Sequence, residues 1–188
     1  RKRAIWVCSI TGGYGIFAQT GTIRDSFCHS TTTYAAYVRD LYNTTCISTA
    51  TYAAYGNQPN GYVLNSTFIS TGGSAVYFLG VGTTVQNCSA YSTAGSGFYS
   101  AGAGPVAFNN CSGYSTSAYA FTGYGELYNC TAISTVSFGI YSTSMATIAN
   151  CYIESRLDDA AGHGIQYHNS YIVYILICLF LIFYYHNQ

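Results

Sequence analysis

The stretch VQNCSAYSTAGSGFYS, residues 85–100, carries the spacing that decides the fold. Val85 is followed two places on by Asn87, Asn87 five places on by Ser92-Thr93, and Ser92 seven places on by Tyr99. The same spacing returns along the chain. Ser30-Thr31, Ser48-Thr49, Ser70-Thr71, Ser92-Thr93, Ser115-Thr116 and Ser134-Thr135 recur at intervals of 18, 22, 22, 23 and 19 residues. Five residues before each serine stands Asp25, Asn43, Asn65, Asn87, Asn110 or Asn129, and Asn150 continues the series ahead of Ser155. Seven before it stands Ile23, Leu41, Val63, Val85, Phe108 or Leu127, with Ile148 ahead of Ser155. Several columns held at one period mark stacked supersecondary units, none of which can bury its apolar side alone.

The unit is too short for a helix pair, it is rich in Ser, Thr, Gly, β-branched and aromatic residues, and no sustained 3.6-residue period runs before residue 165. Two or three short strands per repeat remain. The expected fold is all-β, a single-stranded parallel β-helix (solenoid) of about seven rungs of 18–23 residues. Successive rungs then lie about 4.8 Å apart, and columns in sequence become ladders in space. The apolar column points inward. The structural ladder of Asn43, Asn65, Asn87, Asn110, Asn129 and Asn150 marks a tight bend, because Asn tolerates the left-handed backbone region and its amide can bond its copies above and below. Seven residues after the serines comes an aromatic column, Tyr37, Tyr55, Tyr77, Tyr99 and Tyr141, with Phe121 one place early and Phe17 fitting at the start.

Composition narrows the function. Charged residues form 6% of the chain, six basic against six acidic, and no basic stripe follows Arg1, Lys2 and Arg3. Electrostatic binding of nucleic acid is therefore excluded as an expectation. Polarity comes from Ser, Thr, Asn, Gly and 21 Tyr, a profile of extracellular, cell-surface or virion β proteins. One coil is expected over residues 1–168, with 169–188 as a hydrophobic C-terminal segment. Its core, YIVYILICLFLIFYY at 171–185, is read as a last strand and cap, with Cys178 in a strand. A short membrane anchor is the second reading, since a spanning helix needs about twenty residues. The opening Arg1 is expected of a processed product or a fragment, and residues 4–7 are read as a first rung.

Seven of the eight cysteines fall in two columns, Cys8, Cys28 and Cys46 two places before the Ser-Thr slot, and Cys88, Cys111, Cys130 and Cys151 four places before it. They read as buried thiols, which behave as small hydrophobes. The sharper alternative is a disulfide between adjacent rungs, Cys88 with Cys111 and Cys130 with Cys151, because the rung spacing falls within the accepted Cα range. No metal site or cofactor is expected. Asn43, Asn65, Asn87, Asn110 and Asn129 also head glycosylation sequons, but the bend already demands Asn there. His29, His163, His168 and His186 are scattered and read as surface positions.

Val85-Gln86-Asn87-Cys88, Leu127-Tyr128-Asn129-Cys130 and Gly139-Ile140-Tyr141 resemble the pectin-lyase-like right-handed β-helix superfamily, over roughly residues 5–167. The resemblance implies a right-handed coil. It spans polysaccharide lyases and hydrolases, phage tailspikes and surface adhesins, so it implies fold more narrowly than function.

An enzyme of this kind needs carboxylates held across a scissile bond, or a base with cations. The nearest approach is Arg24-Asp25 and Arg39-Asp40 on adjacent rungs, which makes Asp25 and Asp40 the catalytic candidates, although two rim salt bridges explain them as well. Asp158-Asp159, in an expected loop, is a weak cation candidate. Facing outward, Tyr37, Tyr55, Tyr77, Tyr99 and Tyr141 would form a flat strip for stacking on sugar rings; facing inward, they would be a core stack, the preferred reading. The expected function is a non-catalytic extracellular or virion-surface structural or adhesive module that contacts polysaccharide or cell-surface glycan through this Tyr-rich face. The alternative is a polysaccharide lyase or glycoside hydrolase with an incomplete site.

Overall fold

The computed structural model describes residues 6–10, 13–102, 104–155, 165–167, 174–176 and 179–181. Every strand pairing is parallel, and the chain winds as a β-solenoid with three strand columns per turn. The first column forms a nine-stranded sheet that includes Ser26–Ser30, Thr45–Ser48, Thr67–Ser70, Ser89–Ser92, Ser112–Ser115 and Thr131–Ser134. The other two columns share a second sheet. On some turns they run on as one strand, as in Ala36–Tyr42 and Phe121–Tyr128. On others they split, as in Val76–Phe78 with Thr84–Gln86.

That split accounts for the uneven period. Turns of 18 and 19 residues carry the fused strand, whereas turns of 22 and 23 split it, with an inserted loop at 57–61 or 79–83 or with extra residues between Ser100 and Val106. The inserted loops stack on one another in their turn: the Asn60 N–H donates to the Val81 carbonyl at 2.9 Å and the Gly82 N–H to the Pro105 carbonyl at 3.0 Å. Gly80 is required in this stack, because a Cβ there would collide with the Gln58 carbonyl.

Asp25, Asn43, Asn65, Asn87, Asn110, Asn129 and Asn150 all have φ between 50° and 55°, and these seven bends bound six turns, one fewer than the expected seven rungs. Asn43 Nδ2 donates to Asp25 Oδ1 at 3.0 Å, Asn65 to Asn43 Oδ1 at 3.2 Å, Asn87 to Asn65 at 3.1 Å and Asn110 to Asn87 at 3.3 Å. Only side chains that can bond locally reach this backbone region cheaply. The column therefore fixes both the bend and its vertical register. All five sequon asparagines are exposed.

The serines do more than mark the repeat. Ser30, Ser48, Ser70, Ser92, Ser115 and Ser134 are wholly buried at the opposite corner. Each accepts from the N–H three residues on, as Gly95 donates to Ser92 Oγ at 2.8 Å and Ala118 to Ser115 Oγ at 2.9 Å. Each also donates to the carbonyl of the equivalent residue one turn earlier. Ser92 Oγ reaches the Gly73 carbonyl at 2.6 Å, Ser115 the Gly95 carbonyl at 2.7 Å and Ser134 the Ala118 carbonyl at 2.6 Å. One hydroxyl thus closes its own corner and ties it to the corner below. The following threonines repeat the tie on the outside, with Thr71 Oγ1 on the Thr49 carbonyl at 3.2 Å and Thr93 Oγ1 on the Thr71 carbonyl at 2.8 Å.

Between the two corners lies the core. Ile23, Leu41, Val63, Val85, Phe108, Leu127 and Ile148 face inward, as expected, and Phe98, Phe108 and Phe121 form an aromatic cluster with centroids 5.0–5.3 Å apart. A Cβ on Gly113 would come within 2.7 Å of the Phe121 ring, so this glycine makes room for the ring. Phe121 pairs with Phe98, not with the tyrosines, and Thr122 stands opposite Tyr99. Phe121 thus belongs to the inward column, a correction to its reading as a displaced column member.

Cys28, Cys46, Cys88, Cys111, Cys130 and Cys151 are buried free thiols, and Cys8 is a half-buried one. The disulfide alternative for Cys88, Cys111, Cys130 and Cys151 is corrected. In-register parallel pairing places their Cβ atoms at the rung spacing of about 4.8 Å, whereas a disulfide needs a Cβ separation of about 3.5–4.5 Å. Each sulfur remains a thiol, in contact with its column neighbour, and also donates to backbone. Cys111 Sγ donates to the Asn109 carbonyl at 3.3 Å and Cys130 Sγ to the Tyr128 carbonyl at 3.2 Å.

The strands Tyr174–Leu176 and Leu179–Leu181 pair with 147–149 and 152–154, which continues both sheets into the hydrophobic segment. The remainder of 169–188, Cys178 included, lies outside the described residues, and no helix among those described is long and apolar enough to cross a membrane.

Replacing Ser92 with Ala removes the wholly buried hydroxyl that partners the Gly95 N–H and the Gly73 carbonyl, and urea unfolding is expected to show a loss of about 2 kcal/mol. Thr93→Ala, whose carbonyl partner regains water, is expected to lose less than about 1 kcal/mol. Equal losses would contradict the role given to the buried corner.

Candidate functional site

Strand alternation places the tyrosine column. In Ala36–Val38, Ala54–Gly56, Val76–Phe78 and Phe98–Ser100 the flanking residues are buried, and Tyr37, Tyr55, Tyr77 and Tyr99 between them project outward, half-buried. Tyr141, after buried Ile140, does the same. The inward reading is corrected. Period-2 geometry demands this outcome once Val76, Phe98, Phe121 and Ile140 are recognised as the inward set.

A second column stands beside the first, three residues earlier in each turn: Tyr14, Tyr34, Tyr52, Tyr119 and Phe138, with Ser74 and Ser96 on two turns. The three-residue spacing in Tyr34/Tyr37 and Tyr52/Tyr55 is the sequence signal for it. Together the columns form a strip up the outer face of the second sheet. Phe17 and Tyr37 stack with centroids 4.8 Å apart at 21°, Tyr37 and Tyr55 4.9 Å apart at 25°, Tyr34 and Tyr55 4.7 Å apart at 5°, and Tyr52 and Tyr77 4.7 Å apart at 23°.

Nearly parallel rings this close must overlap face to face, since rings lying side by side on the sheet would have centroids much farther apart. The strip is therefore not a flat aromatic pavement. It presents ring edges and phenolic oxygens, while the faces cover one another. The rings of Tyr37, Tyr55, Tyr77 and Tyr99 are half-buried, so the strip is open to water along its outer edge. Burial between the rings, then repulsion from neighbouring phenols, raises the pKa values of Tyr34, Tyr52, Tyr55 and Tyr77 and keeps them neutral donors. Tyr99 ends the parallel stack by turning 71° to Tyr77, and Tyr119 and Tyr141 stack 4.6 Å apart beyond it. In the interval, the Ser96 and Thr122 hydroxyls bond at 2.7 Å.

The catalytic candidates serve structure. Asp25 is the first member of the asparagine relay, where its Oδ1 accepts from Asn43. Asp40 is buried, with Oδ2 accepting from Arg39 Nε at 2.9 Å, Arg39 Nη2 at 2.7 Å and Thr22 Oγ1 at 3.3 Å, and Oδ1 accepting from the Tyr62 N–H at 3.0 Å. It ties three successive turns together. Arg24 makes no ion pair with Asp25 among the described residues; its guanidinium lies over the Tyr42 ring, 5.0 Å from the centroid. One of the two expected rim salt bridges is therefore present. Asp158 and Asp159 lie outside the described residues, and no group of three His, Cys, Asp or Glu among the described residues could hold a metal.

A wound parallel coil with an asparagine corner defines the class, a β-solenoid. A family model described as "Right handed beta helix region" matches residues 52–180, and the chain belongs to that family. The coil is accordingly right-handed and fits the pectin-lyase-like superfamily. No curated protein and no solved structure matches the chain.

Burial alone would raise the pKa of Asp40, but Arg39, the Tyr62 N–H and Thr22 outweigh it and hold the carboxyl below its usual value. A carboxyl whose folded pKa is depressed stabilises the fold above its unfolded pKa and loses that contribution as pH falls through the folded one. Asp40→Asn is thus expected to cost about 1–3 kcal/mol at neutral pH. Urea midpoints of wild type and variant should converge below about pH 4. A gap that persisted at pH 2 would refute the charge as its cause.

Proposed function

We propose that this coil is a non-catalytic structural or adhesive module of an extracellular or virion surface that contacts glycans along its tyrosine strip. The carrying observation is the double aromatic column, whose half-buried tyrosines repeat at the rung spacing on the outer face of the second sheet. Such a row suits hydrogen bonding to sugar hydroxyls along an extended chain, with aromatic edges against the sugar C–H faces.

Charge selects the glycan. Arg24 and Arg39 are the described coil's arginines, both on its first two turns, one over Tyr42 and one on Asp40. From Tyr52 to Tyr141 the strip carries no cation to meet a uronate. A neutral polysaccharide is the better ligand. The alternative, a polysaccharide lyase or hydrolase, finds its two candidate carboxylates engaged in holding turns together.

Titration with cellohexaose, maltohexaose and polygalacturonate, alongside an assay for released reducing or unsaturated ends, tests the reading. Binding of a neutral hexasaccharide without turnover is expected, weakened at least tenfold in the double variant Tyr55→Ala, Tyr77→Ala with its far-UV spectrum unchanged. Turnover lost in Asp40→Asn while the coil stays folded would establish the enzymatic alternative.

A further inference from the structure

Seven of the eight cysteines lie in the described coil, six of them buried, in two columns that the glycan reading does not use. Cys8 pairs with Cys28 and Cys28 with Cys46 in direct register. Cys88, Cys111, Cys130 and Cys151 each stand one place before the paired residues Ser89, Ser112, Thr131 and Tyr152. Each upper thiol points at two carbonyls, one of its own turn and one of the turn below. Cys111 Sγ, for example, lies 3.3 Å from the Asn109 oxygen and 3.5 Å from the Val85 oxygen.

In the closed coil these sulfurs are poor nucleophiles. They are buried, and the contact with Cys111 followed by burial pushes the Cys130 pKa up to about 12. Contact with Cys28 and burial raise Cys46, and contact with Cys130 and burial raise Cys151. Cys88 alone shifts down, through the neighbouring Cys111 thiol, and it is buried too. Exchange requires an accessible thiolate.

Before the coil closes, none of that protection exists. Cysteines of adjacent turns are then about twenty residues apart on a mobile chain, a short and readily closed loop. A small disulfide such as oxidised glutathione would react in two steps. One cysteine thiolate attacks it and releases one glutathione thiolate; a second cysteine thiolate then attacks the mixed disulfide and releases the other. Two electrons pass from the two cysteine sulfurs to the oxidant, one protein S–S bond replaces one glutathione S–S bond, and the two cysteine protons leave with the two released thiols. The unfolded chain can also join cysteines that end two or more turns apart, about 10 Å or more in the closed coil, beyond the reach of a disulfide.

We propose that the two thiol columns make folding of this coil conditional on a reducing environment, and that the closed coil then shields its own cysteines. A coil working on an outer surface would have to close before it met a disulfide-forming compartment. The proposal is independent of the glycan reading.

The full chain, unfolded in guanidinium, is refolded by dilution either into dithiothreitol or into oxidised glutathione, and recovery of the strand signal by far-UV circular dichroism is compared. At least a tenfold lower recovery is expected under oxidant, with new cross-links found by mass spectrometry. Native coil given the same oxidant should keep its spectrum, and its buried thiols should stay unlabelled by iodoacetamide until denaturant is added. Equal recovery in both buffers would overturn the proposal. So would native coil that gained a Cys88–Cys111 bond without losing its fold. The variant with Cys88, Cys111, Cys130 and Cys151 all replaced by Ala should regain part of the lost recovery, and the wild-type comparison decides the matter should that variant not fold.

Discussion

Register between turns is the constraint from which everything else follows. Backbone ladders along short parallel strands favour stacking but permit sliding, and a slip of one residue would send every inward side chain to the surface. Two corners prevent it. At one, residues at φ near 50° relay hydrogen bonds from Asn110 down to Asp25. At the other, a buried serine both closes its own bend and reaches the equivalent carbonyl one turn below. Because the serine tie is made at the same position in each turn, strands of only three or four residues can still align Phe over Phe, Tyr over Tyr and thiol over thiol.

With the register fixed, the exterior becomes as regular as the interior. Tyrosines that are merely periodic along the chain become a stack whose rings shield one another, so an almost uncharged surface can hold many aromatic groups and still offer polar atoms to water. The stack is also a supporting element on the outside of the sheet, since cross-strand aromatic pairs add to stability. On the proposed glycan reading, binding would use the edges and oxygens of these rings while support uses their faces.

Much of this was legible in the sequence because a solenoid converts spacing directly into neighbourhood. The inward column from Ile23 to Ile148 and the bend column from Asp25 to Asn150 could be read at once. Other features depend on distances that spacing does not carry. The inward reading of the tyrosines rests on aromatic stacking as a device for holding sheet register, which works on either face, whereas Val76 and Phe98 beside Tyr77 and Tyr99 carry the orientation. The role of Asp40 was hidden because its partners, Thr22 and the Tyr62 N–H, come from the turns on either side. Serine gives no sign of burial by its type, so Ser92 read as a marker and not as a tie. The disulfide alternative failed on Cβ geometry, which a Cα spacing conceals.

Residue-resolved hydrogen exchange tests the claim of corner-fixed register most directly. Gly73, Gly95 and Ala118 lie in turns, where amides ordinarily exchange as fast as open loops allow. If buried serines hold these corners, the three amides should exchange only through global unfolding, as slowly as the amides of the core strands. Fast exchange at all three, with the strands still protected, would show that the register is set elsewhere.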